Sequence, residues 1–199
     1  QAKLDRVVAQ MSTWEADSDI SRYNRAAANS WHALPDDFWN VLSSARDIAE
    51  RSAGAFDPTI GPLVALWGFG ADAGAQTVPD PARLAEVAAG CGWHKLQLDP
   101  QTKSALQPGG LQLDLSAIAK GYGVDQLAAL VETTGIMNYL VSIGGEIRAR
   151  GHNGQGQPWT SAIEKPVPGQ RAVERLIRFG DRSVSTSGDY RNFFEQNGQ

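Results

Sequence analysis

The chain has one cysteine, Cys91, in 199 residues, so no internal disulfide can form. That fits the cytosol, and it fits equally a periplasmic protein that needs no disulfide. Cys91 lies between two glycines with no evident base beside it, which favours a structural thiol over a nucleophile. The three histidines, His32, His94 and His152, are scattered and show no metal-ligand spacing, so each is read as a surface or packing residue. A basic surplus is missing too. Lys and Arg number 18 against 22 Asp and Glu, for a net charge of −4, which argues against non-specific nucleic-acid binding. No apolar run approaches the roughly 20 residues that span a bilayer, and no signal-peptide pattern opens the sequence as given. The common nucleotide loops are also absent, since no GxGxxG follows a strand and there is no Walker sequence.

What remains is an ordinary globular composition, 42% apolar and 20% charged, long enough for one large domain or two small ones. Leu4, Val7, Val8 and Met11 recur at i, i+3, i+4 and i+7, one face of a helix over residues 1–12. "WEADSDISRYN" reads as a polar loop. Residues 37–53 read as a second helix with Phe38, Val41, Leu42, Ala45, Ile48 and Ala49 on its apolar face and Gly54 at its end. "FDPTIGPLVALWGFG" reads as a rigid loop and "PDPARLAEVAAGCG" as a short helix. "HKLQLD" and "LQLDL" are alternating strands that could pair, and a helix follows Ser116. "MNYLVSIGGEIRARG" reads as two strands about a Gly-Gly break, "GHNGQGQPW" as a flexible loop, and "WTSAIEKP", "AVERLIRF" and "RSVSTSG" as further strands. The fold class is α+β, with mixed, largely antiparallel sheets packed with helices. Both ends look cut. The first helix is already under way at residue 1, and "YRNFFEQNGQ" reads as a strand entering an Asn197-Gly198 turn with no returning strand.

The stretch "LQLDLSAIAKGYGVDQLAALVE" breaks local rules. Leu111, Leu113 and Leu115 face the core while Gln112 and Asp114 face away, and Ser116 suits an N-cap. Lys120 then opposes the helix dipole, and Gly121 and Gly123 each cost about 1 kcal/mol relative to alanine. One explanation is a phosphate on the free helix N–H groups with Lys120 as counter-charge. The other is a Lys120–Asp114 salt bridge with glycines for packing, and spacing leaves both open. "SIGGE" places Glu146 either against a ligand or in an edge-strand bulge. "STSGDYRN" offers Ser185, Thr186, Ser187 and Arg191 to phosphate oxygens, or is a polar turn. Trp14 stands out because polar residues surround it.

Five stretches, "MSTWEADSDISRYN", "GAFDPTIGPLVALWGFG", "LDLSAIAKGYGVDQLAALVE", "YLVSIGGEIRARG" and "STSGDYRNFFE", together resemble the FAD:protein FMN transferase (ApbE flavin transferase) family, in family order and across almost the whole chain. The resemblance implies an enzyme that binds FAD, cleaves its pyrophosphate with a divalent cation, usually magnesium, passes FMN to a threonine or serine hydroxyl of a target protein, and releases AMP. It implies flavin-acceptor subunits of bacterial membrane redox complexes as partners and a periplasmic location, often as a lipoprotein of the inner membrane. The alternative is a FAD-binding protein or FAD pyrophosphatase without protein transfer; an electron carrier that keeps its flavin is the reading from another class. By resemblance, Trp14 contacts the flavin, and Ala55, Phe56 and Asp57 form a FAD-binding segment. Asp114 and Lys120 contact FAD, with Lys120 the candidate electrostatic helper, and Ala117 offers its backbone carbonyl to the metal. Ser187 and Arg191 lie near the site without an assigned role. The remaining metal ligands, an aspartate and a threonine, and a His-Asp-Pro motif fall beyond Gln199, and a FAD-contacting methionine segment falls before Gln1. A molecule ending at Gln199 would thus have an incomplete metal site and no useful rate of transfer.

Overall fold

The apolar spacing near the start is realised as helix α1, Ala2–Met11, with Val7 and Met11 buried. The computed structural model describes residues 1–71, 74–167, 172–188 and 192–195. The chain divides into two compact units, residues 1–119 and 120–199.

In the first unit the polar stretch after Trp14 is not a loop throughout. Asp19–Asn24 forms helix α2. The Ser18 hydroxyl accepts from the Ser21 N–H at 3.2 Å and donates to the Ser12 carbonyl at 2.7 Å, and Ile20 and Tyr23, three apart, are both buried. A six-residue helix is too short for its period to show in the sequence. Strand β1, Ser30–Ala33, follows, and then helix α3, Asp36–Arg51. The apolar face expected of α3 is buried except for Ile48, which is 40% exposed. Its first turn is capped from outside, where the Gln10 side-chain oxygen accepts from the Phe38 N–H at 3.0 Å. Ala53 and Gly54 end it at φ 51° and 84°.

Part of the Gly/Pro-rich stretch read as a rigid loop is helical, with α4 at Gly61–Leu66. Pro62 suits a first turn, where its missing N–H costs nothing. Helix α5, Pro81–Gly90, starts on Asp80, whose carboxylate accepts from Ala82 and Arg83 N–H at 2.9 and 3.2 Å. Strands β2, Gln97–Asp99, and β3, Ser104–Gln107, complete an antiparallel sheet in the order β1-β3-β2. This corrects the pairing of "HKLQLD" with "LQLDL". Asp99 accepts from Gln101 N–H at 2.9 Å and Thr102 Oγ1 at 2.7 Å, so a local turn returns the chain onto β3 first. Residues 111–115 run extended outside any sheet, with Leu111, Leu113 and Leu115 buried as the alternation requires.

The second unit contains helix α6, Ala119–Thr133, apart from its first residue. Strands β4, Tyr139–Ile143, and β5, Glu146–Arg150, form a hairpin through Gly144 and Gly145 at φ 56° and 98°, the two positive φ values a type I′ turn demands. Pairing is regular from Tyr139↔Arg150 to Ile143↔Glu146, so Glu146 is not in a bulge. Strands β6, Trp159–Glu164, and β7, Val173–Phe179, make a two-stranded sheet, and β8, Arg182–Val184, adds to β5. The strand read over "YRNFFEQNGQ" falls largely outside the described residues, and Asn192–Glu195 are in none. Every named strand pairing is antiparallel, in keeping with the α+β expectation.

Candidate ligand-binding site

Trp14 and Asp114, a hundred positions apart, line one cavity of about 300 Å³ in the first unit, with Thr13, Asn24, Arg25, Gly61, Val64, Phe69 and Gln112 among the other lining residues. Trp14 is 71% exposed, so its ring is not spent on the core. Its loop is nonetheless held. The Trp14 N–H donates to Ser12 Oγ at 3.2 Å, and Arg25 Nη2 donates to the Ala16 carbonyl at 2.6 Å.

The backbone around Asp114 is fixed from three directions. Its own N–H donates to the Pro58 carbonyl at 2.8 Å. The Asn24 side chain brackets the preceding residue, with Oδ1 accepting from Leu113 N–H at 2.8 Å and Nδ2 donating to Leu113 O at 3.0 Å. Gln107 does the same two residues earlier, accepting from Leu111 N–H at 3.0 Å and donating to Leu111 O at 2.8 Å. Two side-chain amides thus stand in for a neighbouring strand, which satisfies a buried backbone without a sheet. On the other side, α4 comes close because Gly61 has no side chain. A Cβ there would lie 3.4 Å from the Asp114 Cβ.

Asp114 Oδ1 accepts from the Ser116 N–H at 2.8 Å. This local turn takes the place of the Ser116 N-cap, and α6 starts at Ala119, two residues later than that cap would have it. Ala117 is exposed in the intervening turn. Ala55, Phe56 and Asp57 do not line the cavity. Asp57 is a structural clamp. One carboxylate oxygen accepts from Thr59 N–H at 2.8 Å and Thr59 Oγ1 at 2.7 Å, and the other accepts from Trp93 N–H at 2.9 Å. Thr59 Oγ1 in turn accepts from Gly92 N–H at 2.7 Å. The clamp holds the loop whose Pro58 carbonyl receives Asp114. Cys91 lies in the same region. Burial, and then the nearby Asp57 charge, raise its thiol pKa, which keeps it protonated and a poor nucleophile.

In the second unit, Lys120 meets a carboxylate other than the one its spacing suggested. Its Nζ lies 3.4 Å from Glu146 Oε1, with the lysine side chain 51% exposed and the glutamate 12%. The Gly-Gly turn runs beside both this pair and Thr186. A Cβ on Gly144 would lie 3.6 Å from Lys120 Cδ, and one on Gly145 3.1 Å from Thr186 Oγ1. Lys120, "SIGGE" and "STSG" therefore converge. Ser187 is exposed, and Arg191 lies outside the described residues. A wider cavity of about 600 Å³ is lined by Glu132, Tyr139, Arg148, Arg150 and Arg182, but its charges largely serve one another. Arg150 pairs with Glu132 at 3.0 Å and Tyr139 donates to Glu132 at 2.6 Å, while Arg148 pairs with Asp125 at 2.7 Å.

Among the described residues, no group of three or more His, Cys, Asp or Glu side chains converges to hold a metal, and no helix is long and apolar enough to cross a membrane. Asn24, Gln107, Thr59 and Gly61 were not singled out in the sequence, and nothing short of the fold pairs them with residues 57, 92 or 111–114.

The first-unit cavity presents an aromatic face and a fixed carboxylate within an α+β fold. The chain belongs to the ApbE family, whose model matches residues 1–199. It is 44% identical over 204 residues to a Haemophilus influenzae protein named FAD:protein FMN transferase, covering 100% of this chain and 59% of that protein. A Vibrio cholerae protein of the same name is 44% identical over 202 residues, covering 100% of this chain and 60% of that one. The chain thus spans about three-fifths of the curated relatives it matches. Among solved structures, the Vibrio cholerae flavin transferase ApbE superposes with a TM-score of 0.87 at 41% identity, covering 98% of this chain and 63% of that one. The Pseudomonas stutzeri flavinyl transferase ApbE in its apo form gives 0.85 at 35% identity, covering 98% and 62%.

Proposed function

We propose that residues 1–199 form most of a FAD:protein FMN transferase domain that binds FAD and passes its FMN half to a protein hydroxyl. The observation that carries the reading is the meeting of Trp14 and Asp114 in one cavity, in a chain whose relatives bear that name. The Trp14 ring offers a stacking face to the isoalloxazine. Asp114 keeps acceptor capacity beyond the bond from Ser116 N–H for an N–H or O–H of the ligand. A volume of about 300 Å³ is at the lower end for small-molecule sites, so it suits one ring system and its adjoining sugar chain rather than a whole dinucleotide. Lys120, partly neutralised by Glu146, is the candidate to offset charge on the pyrophosphate.

In the transfer, the acceptor hydroxyl oxygen forms a bond to the FMN phosphorus, the bond from that phosphorus to the bridging oxygen breaks, AMP leaves with that oxygen, and the hydroxyl proton goes to solvent or a base. The described residues do not by themselves make a magnesium site. A hard cation of this kind takes near-octahedral oxygen coordination, usually with one or two carboxylates, and Ala117 offers only a carbonyl. The acceptors are taken to be flavin-carrying subunits of bacterial membrane redox complexes, and the location to be the periplasmic side.

The test is incubation of the full-length protein with FAD, magnesium and a protein bearing an acceptor threonine, followed by mass spectrometry. Covalent FMN on the acceptor is the expected result. Free FMN and AMP without labelling would make the protein a FAD pyrophosphatase, bound and unchanged FAD a flavin-binding protein, and unbound FAD would remove the reading.

A further inference from the structure

We infer that Asn24 is a positioning residue for the ligand: its side-chain amide holds Leu113, and through it sets Asp114 in the cavity. The inference rests on the flavin-binding reading for the identity of the ligand. Asn24 is the last residue of α2, and it lines the same cavity as Trp14, Leu113 and Asp114. Within an extended segment, the N–H and C=O of one residue point to the same side. A primary amide presents one acceptor and one donor with matching spacing. Asn24 therefore binds Leu113 as a β neighbour would, at 2.8 and 3.0 Å. Its placement is itself fixed, because Ser18 caps α2 and is anchored to Ser12, next to Trp14. The two walls of the cavity, the aromatic loop and the Asp114 segment, are thus tied together by one short helix.

Gln107 provides an internal control. It clamps Leu111 with the same chemistry and is fully buried, but it is not among the residues lining the cavity. A purely structural role for Asn24 would make its loss resemble the loss of Gln107. A positioning role separates them. Asn24→Ala and Gln107→Ala are compared with the parent chain by thermal melting, by fluorescence titration with FAD, and by amide exchange over residues 111–116 without ligand. Both variants are expected to melt earlier. Asn24→Ala is expected to lose at least about tenfold in FAD affinity beyond any loss in Gln107→Ala, and to exchange faster at residues 113–116. Equal affinity losses in the two variants, or unchanged exchange in Asn24→Ala, would overturn the inference. Faster exchange in Asn24→Ala than in the parent chain, with neither binding FAD, would remove the flavin reading while supporting the hold of Asn24 on Asp114. If Asn24→Ala does not fold, Asn24→Asp carries the comparison. It keeps the acceptor for Leu113 N–H and loses the donor, and the expected affinity loss is intermediate; no loss would overturn the inference.

Discussion

Residues 111–115 and the β4–β5 hairpin carry similar alternating patterns and end in different structures. "YLVSIGGEIRAR" carries its own turn, and Gly144 and Gly145 at positive φ bring Glu146 opposite Ile143. Its ladder needs nothing remote. "LQLDL" also follows a Gly-Gly step at positive φ, Gly109 and Gly110 at 121° and 72°, but the strand before it, β3, already pairs with β1 on one edge and β2 on the other. Its backbone is satisfied instead by Asn24, Gln107 and the Pro58 carbonyl. A ladder leaves both faces of a strand to packing. Side-chain clamps leave an isolated segment whose outward residue, Asp114, can line a cavity. The alternation specifies which side chains are buried in both cases, and the source of hydrogen bonds decides which of the two becomes a site.

Removing a clamp should cost more than bending the turn. Gln107→Leu leaves Leu111 N–H and O, Gly109 N–H and the Tyr23 carbonyl without their partner. At about 1–3 kcal/mol for each buried group left unsatisfied, with partial relaxation, the loss is expected at about 3 kcal/mol or more in chemical denaturation. Gly145→Val forces a β-branched residue to φ 98°, with its Cβ about 3.1 Å from Thr186 Oγ1. Strain of this kind costs about 1–3 kcal/mol, and exchange should quicken across β4 and β5 while residues 111–115 stay protected. Comparable loss of protection in both segments would dissolve the contrast between them.

The smallest effect is a pH dependence set by two carboxylates next to these regions, Asp99 at the end of β2 and Glu132 in α6, which holds Tyr139 and Arg150 of the hairpin. Hydrogen bonds from Thr102 lower the Asp99 pKa, and those from Tyr139 and Arg150 lower that of Glu132. The unfolded chain, with ordinary carboxyl pKa values near 4, takes up protons before these folded groups do. Their contribution is therefore complete above the ordinary carboxylate range and is lost as the pH falls through the lower folded values. Melting followed from pH 6 down to pH 3 should show a decline that is shallower in Asp99→Asn and in Glu132→Gln. An unchanged slope in both would remove these groups from the acid response.

Much of the fold was legible because its signals are local. The face of α3, the short helix α5 and the Gly-Gly hairpin all rest on residues within a few positions of one another. α2, β1, β3 and the true partner of β2 were not. α2 is a six-residue helix, shorter than two full turns, and the sheet pairing was decided by competition between turns. The site divides the same way. Trp14 and Asp114 were singled out in the sequence and share a cavity, whereas the clamps around Asp114 come from residues 24, 58 and 107, which no spacing rule connects. Asp57 was singled out by resemblance, but the hydrogen bonds of both its oxygens, which hold the loop at 57–59 to residue 93, join residues too far apart for any local pattern to show.

The most direct test of the central claim, that the first-unit cavity receives the flavin, is a fluorescence titration of FAD against the parent chain and Trp14→Ala. Trp14 is largely exposed, so the substitution should leave the melting temperature unchanged. Base–aromatic stacking is worth about 1–3 kcal/mol, so the dissociation constant should rise roughly five- to 150-fold. Equal FAD affinity in the two proteins, with the parent chain binding FAD, would contradict the account and move the flavin to another part of the molecule.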